Sequence, residues 1–381
     1  MPLPDPRGEG ALYPCGGRVQ RQPACPVPVA ACRGAGQSDG RGEERGGVYT
    51  ELARASLRTG EEIAVGVVEP CGDSDWQPRV EAMLGHKSAI NRLHVEAAFR
   101  GPLDDLQTLF YVGVVQGELV TISMLAGAHG AAIYGHVVTR PAWRRRGAAS
   151  ALHRVLAADW RRRGYRVVTL STDAGGHAQR LYAGVGFRPL RPGAGDMIWH
   201  DEPGGEAVCL ADGPTRVGPM RWGDWGWLSE ALCAEVEPEE ELPRSVLFRV
   251  RDLHYVDWPF IAAMTGADVE RSGRVEGRVL RQGKRVLGWA ALLPHAASAL
   301  GASALELYLR PGARADGAAD ALLAALPWSG APVIHACTPP AGYRAAALAR
   351  HGFLRQRAWP RWWDLGRRTE AAVVWVRPGD G

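Results

Sequence analysis

Between residues 62 and 200 the apolar positions change their period several times, and each change marks an element. Ile63 to Val68 (IAVGVV) is a short apolar run and reads as a strand. Asp73 to Lys87 reads as a helix, with Asp73 or Ser74 as its cap, and Asn91 to Phe99 as a second helical stretch. Leu109 to Val115 and Leu119 to Leu125 are strands joined by Gln116-Gly117-Glu118, a glycine-bearing hairpin turn. Ala131 to Thr139 is the next strand, Gly147 to Arg163 a long helix, and Arg166 to Ser171 another strand. His177 to Val185 is a helix ending at Gly186, followed by short strands near Phe187 and from Met197 to His200. The predicted order is β-αα-ββ-β-α-β-α-β-β.

The second half repeats this pattern after a linker-like stretch at 203–215. Trp222 to Val236 is helical, Val275 to Arg281 and Arg285 to Leu293 form a hairpin across Gln282-Gly283-Lys284, and Ala304 to Leu309 is a strand. Arg310 to Leu322 then aligns without a gap on Arg140 to Leu152, sharing Arg, Pro, Arg, Gly, Ala, Ala, Ala and Leu. Val333 to Cys337 matches the later strand, and Tyr343 to His351 with Gly352-Phe353 matches the later helix. Met197-Ile198-Trp199 is set against Arg361-Trp362-Trp363. The chain therefore reads as an internal duplication. Residues 1–46 are rich in Pro, Gly and Arg without a hydrophobic period, and are expected to be a disordered tail or an over-extended start.

Composition narrows the class. With 381 residues, 46% hydrophobic and 23% charged, the chain suits two soluble domains of ordinary size. A net charge of +4 gives no argument for nucleic acid. Only Lys87 and Lys284 are lysines, so the basic residues are almost all arginine. No apolar run reaches the length of about 18 residues needed for a membrane span, and the N-terminus lacks a signal-type apolar core. The seven cysteines have no Cys-x-x-Cys spacing, which fits a reducing cytoplasm and no metal site.

The chemistry-bearing stretch is Thr139 to Arg154. An apolar β-branched strand runs into Arg144-x-x-Gly147-x-Ala149, and a helix starts at once. Such a turn presents unpaired backbone N–H groups and a positive dipole end, suited to a pyrophosphate. Leu181-Tyr182-x-x-x-Gly186-Phe187 follows at the end of the next helix. Together these motifs and the element order resemble the GNAT acyltransferases, enzymes that move an acetyl group from acetyl-CoA to an amine. The resemblance implies an α/β fold with a mixed sheet in two tandem copies, a cofactor-binding and catalytic GNAT domain at 47–202 and a degenerate GNAT-like domain at 216–381. It further implies that backbone groups of Val137, Val138 and Thr139 meet the pantetheine arm. Arg144, Arg145, Arg146, Gly147, Ala148 and Ala149 would hold the pyrophosphate, and Tyr182 would face the sulfur as the catalytic residue.

The implied activity is N-acetylation of a primary amine, on a small molecule or a peptide, with acetyl-CoA as cosubstrate and no metal. Glu96, Glu118, His136, Asp173 and His177 are candidate bases by residue type alone. Gly175 stands where the family usually has an asparagine, so one usual cofactor contact is missing. The second copy has Leu348 at the tyrosine's place and Ala315-Asp316 where the first has Arg145-Arg146, an acidic change that disfavours a pyrophosphate. Two rival readings stay open. One is a non-catalytic acyl-CoA-binding or regulatory protein of the same fold; the other is a nucleic-acid-associated protein using its arginine triplets. Eleven tryptophans from Trp199 onward suggest packing between the copies.

Overall fold

The computed structural model describes residues 48–70, 75–202, 214–233, 254–266, 275–294, 302–314, 317–328, 332–364 and 369–378. The expected tail at 1–46, the linker up to 213, and the Ala315-Asp316 pair lie outside them. The first sheet has eight strands in the order β1-β2-β3-β4-β5-β6-β8-β7. These are β1 (Val48–Ser56), β2 (Glu62–Glu69), β3 (Gln107–Val115), β4 (Glu118–Ala128), β5 (Ala131–Thr139), β6 (Val167–Ser171), β7 (Arg188–Pro189) and β8 (Asp196–His200). Helices α1 (Trp76–Leu84) and α2 (Ala89–Arg100) follow β2, α3 (Ala148–Arg162) follows β5, and α4 (His177–Ala183) follows β6. Strand β1 is an addition to the sequence reading, in which order began near Glu62. Its run VYTELARAS mixes charge into an edge strand, paired among the described residues with β2 alone, so it carries no continuous apolar signal.

Strands β3 and β4 are buried almost throughout, which explains their nearly unbroken apolar sequence: both faces of the sheet are covered. On one face lies α3, whose Ala148, Ala151, Leu152, Leu156 and Trp160 recur at helical spacing and pack in one core with Tyr134, Tyr182, Phe187 and Trp199. A buried Asp159 on α3 accepts from Tyr111 Oη at 2.6 Å and pairs with Arg162 and Arg163. Arg161 lies over the Trp199 ring at 5.2 Å. The Arg161-Arg162-Arg163 triplet is thus engaged in holding the fold together.

The second sheet has seven strands in the order β14-β15-β13-β12-β11-β10-β9. They are β9 (Thr215–Pro219), β10 (Glu276–Gln282), β11 (Arg285–Pro294), β12 (Ser303–Leu309), β13 (Val333–Thr338), β14 (Leu354–Asp364) and β15 (Thr369–Pro378). Helices α5 (Trp225–Cys233), α6 (His254–Thr265), α7 (Ala318–Ala324) and α8 (Tyr343–Arg350) complete it. The duplication extends to individual bonds. Arg140 Nε donates to Leu119 O, and Arg310 Nε to Val286 O. Arg144 Nε donates to Thr139 O at 3.1 Å, and Arg314 Nε to Leu309 O at 3.2 Å. Phe187 N and Phe353 N close their helices on Tyr182 O and Leu348 O. The ends differ from the sequence reading. The strand beside β13 is β15, whereas Arg361-Trp362-Trp363 lie in β14, because the last hairpin is much longer than its counterpart β7–β8.

The two copies share a core. Trp222, Trp225, Trp227, Phe260, Trp289 and Tyr308 of the second copy pack in one cluster with Val80, Phe99, Phe110, Met124 and Ile133 of the first. Gly226 on α5 lies so close to β5 that a Cβ would come within 2.3 Å of Ala131 O.

Candidate functional site

The site begins where β5 and β6 part. They pair in parallel only from Ala131–Val167 to Ile133–Thr169. Beyond that, Tyr134 to Thr139 have no strand on their β6 side among the described residues. The register of β5 against β4 also breaks here: Ile122 pairs with Val138 and Met124 with Gly135, so Ser123 stands opposite both His136 and Val137. This is a β-bulge, and His136 takes φ 53°, a left-handed conformation uncommon for a residue with a side chain. Strain of this kind, about 1–3 kcal/mol, persists only where the surroundings hold it, and it concentrates at functional sites. A Cβ on Gly135 would meet nothing within 4 Å, so the backbone there faces open space.

A cavity of 310 Å³ occupies the parting. Gly135, His136 and Val137 of β5, Thr169 to Asp173 in and after β6, and Tyr134 and Tyr182 line it. Lys87 and Asn91 reach it from the α1–α2 region, and Trp225 and Ser229 from α5 of the second copy. Tyr182, only 7% exposed, makes no side-chain hydrogen bond among the described residues, and burial pushes its phenol up to about 12. Tyr134 is engaged. His153 Nδ1 lies 2.7 Å from Ala149 O, which can only accept, so Nδ1 carries the proton and Nε2 accepts from Tyr134 Oη at 3.0 Å. Burial holds His153 down at about 4, against the opposing pull of the Ala149 carbonyl, which keeps this assignment in force at neutral pH.

The turn entering α3 lies at the far end of β5. Arg145 has φ 63° and Gly147 φ 96°, and Gly147 as N-cap supplies no side-chain bond to the first N–H groups of the helix. Left-handed residues so spaced make a concave row of backbone donors, to which the helix dipole adds. The arginine side chains differ in their freedom. Arg146 pairs with Glu61 at 3.0 Å and lies over the Trp143 ring, and its carbonyl accepts from Arg58 N. Arg144 folds back through Nε onto Thr139 O, while Arg145 is exposed. The donors at Gly147, Ala148 and Ala149 are backbone groups in any case.

Of the candidate bases, His136 and Asp173 line the cavity. Glu118 pairs with Arg140 at 3.4 Å, Glu96 with Arg100 at 3.5 Å, and His177 is exposed at the start of α4. Gly175 sits in the β6–α4 turn at φ 71°, its N–H donating to Gln179 Oε1. Lys87, Asn91, Trp225 and Ser229 were not anticipated. Each comes from an element far from the motifs in sequence, and no spacing links them to it.

The second copy repeats the glycine helix start, at Gly317, but not the bulge. Its β11–β12 pairing runs unbroken from Gly288–Leu309 to Pro294–Ser303. Glu306 stands where the first copy has His136 and is wholly buried, which raises its carboxyl far above the usual carboxylate range. Leu348, at the tyrosine's place, is buried in the core.

The site is thus a mixed sheet parted between two parallel strands, with a bulge at the parting and an uncapped helix start at its end. Residues 107–189, from β3 to β7, match the family model of the acetyltransferase (GNAT) domain. No curated protein matches the chain. Among solved structures it is similar to the GNAT domain of S. lividans PAT, at 18% identity and TM-score 0.29 over 39% of this chain and 96% of that one. It is also similar to yncA of Salmonella typhimurium, solved with its cofactor acetyl-CoA (13% identity, TM-score 0.36, 44% and 95% of the two chains). A third is the ribosomal-protein-S5-alanine acetyltransferase of Vibrio fischeri, at 14% identity and TM-score 0.34 over 44% and 93%.

Proposed function

We propose that the first copy transfers an acetyl group from acetyl-CoA to a primary amine in the parting between β5 and β6. The observation that carries the reading is the bulge at His136–Val137, which turns the backbone of β5 into the same cavity that Tyr182 lines. Bound there, acetyl-CoA supplies a thioester whose acyl carbon the amine attacks. Backbone groups of Val137, Val138 and Thr139 orient the pantetheine arm and stabilise charge on the thioester oxygen. Backbone N–H groups from Arg145 to Ala149 hold the pyrophosphate, with the exposed Arg145 adding charge-assisted contacts. His136 and Asp173 are the bases nearest the acceptor.

The role of Tyr182 follows from magnitudes. A phenol at about 12 giving its proton to a thiolate near ~8.5 runs uphill by ~3.5 units, about 5 kcal/mol. Full transfer therefore loses, and the phenol acts by donating a hydrogen bond to the departing sulfur.

The test pairs calorimetry of coenzyme A binding with thiol release from acetyl-CoA in the presence of primary amines. Tyr182→Phe should lower kcat by about ten- to a hundredfold while the KM for acetyl-CoA changes less than about twofold. Equal losses in both would remove Tyr182 from the chemistry. Tight binding without thiol release from any amine would favour the non-catalytic reading.

A further inference from the structure

One ammonium lines the cavity, and among the described residues it has no partner. Lys87, in the bend between α1 and α2, lines the cavity and is half-buried. Burial lowers its pKa. The chain's other lysine, Lys284, pairs with Asp105 at 3.3 Å. A partly desolvated ammonium without a counter-ion is costly, and an anion from a ligand would relieve it. Asn91, four residues on, adds an amide to the same wall. The N-cap of α2 is Ser88, next to Lys87, and it makes no side-chain cap bond, so the positive end of α2 is also uncompensated there. Trp225 and Ser229 of α5, which the seam at Gly226 fixes against β5, line the same cavity.

We propose that Lys87, with Asn91, binds a carboxylate of the acceptor, and that the acceptor is a small amine bearing that carboxylate, in a subsite walled by the second copy's Trp225 and Ser229. The inference rests on the acetyl-transfer reading and deepens it. One ammonium and one amide suit a single carboxylate, whereas a phosphate would find no second cation among the lining residues. A 310 Å³ cavity walled by α5 suits an amino-acid-sized molecule better than the flank of a polypeptide. Asp173 and His136 stand on the same cavity, where the amine can meet them.

The test uses the full chain and matched acceptors: glycine, L-alanine and β-alanine, each against its carboxamide. Wild type should prefer the carboxylate of a pair by about tenfold or more in kcat/KM. Lys87→Met should erase that preference by raising the acceptor KM, leaving the KM for acetyl-CoA unchanged, and Lys87→Arg should retain much of it. An indifferent wild type, or a Lys87→Met variant impaired toward acetyl-CoA, would overturn the proposal.

A second arm needs no turnover. Reductive ¹³C-methylation labels the two lysines and the α-amine, and Lys87→Arg identifies the Lys87 signal. With coenzyme A present, N-acetyl-β-alanine should move the Lys87 signal and leave Lys284 in place, while its carboxamide moves neither. No movement at Lys87 with any of the three N-acetylated carboxylates overturns the subsite. Movement without thiol release from any acceptor upholds the subsite and sinks the acetyl-transfer reading instead.

Discussion

Two buried histidines set how the molecule meets acid. Burial holds His94 at about 3, with a smaller push from His136, and His153 at about 4. His94 has no exposure; its Nε2 lies 3.1 Å from Thr108 Oγ1, and its ring meets Trp225 edge-on at 4.8 Å. Both pKa values are lowered in the native state, so the unfolded chain binds protons first. Stability is then complete above about pH 6.5 and is lost as pH falls toward 3–4. At pH 5 each histidine should cost about 2 kcal/mol. Urea melts at pH 7.5 and pH 5 will read this, and equal midpoints at the two values would contradict it. Neither histidine was evident as a buried group in sequence. Burial is a property of the packed molecule, and both sit on helices whose apolar positions merely outnumber them.

Local elements were the legible ones. The Gly117 hairpin and the strand, turn and helix around Gly147 depend on residues a few positions apart, so their sequence announces them. The bulge in β5 was hidden. A bulge exists only relative to a partner's register, and nothing in Gly135-His136-Val137 states which residue of β4 it will face. Strand β9 and helix α6 were missed for a related reason: their stability comes from the sheet and the helices they pack on.

The α3 turn supports a direct comparison between copies. Gly147 and Gly317 have φ 96° and 89° and start matching helices. Gly147→Ala and Gly317→Ala should each cost about 1–2 kcal/mol, since an L-residue resists that conformation. Only Gly147→Ala should raise the KM for acetyl-CoA, by about tenfold, because only that turn would hold its pyrophosphate. A similar rise from Gly317→Ala would assign cofactor binding to both copies.

At the scale of the molecule, the repeat was readable because Arg310 to Leu322 kept its match to Arg140 to Leu152 without a gap. What that match could not tell was how the copies meet. Gly226 decides it. A methyl there gains about 1 kcal/mol of helix propensity but must push backbone apart at 2.3 Å, a cost of about 1–3 kcal/mol. The steric cost prevails, so Gly226→Ala should lower the melting temperature. It should also weaken catalysis, since α5 carries Trp225 and Ser229 into the cavity.

That same seam makes the halves dependent on each other for solubility. Residues 48–202 made alone would leave Phe99, Phe110 and Ile133 without the tryptophans that cover them, and should aggregate. Co-produced with residues 214–378, they should instead recombine into an active heterodimer, as a split reporter does. The fused gene would then preserve, as one polypeptide, an assembly that two matching subunits could once have made.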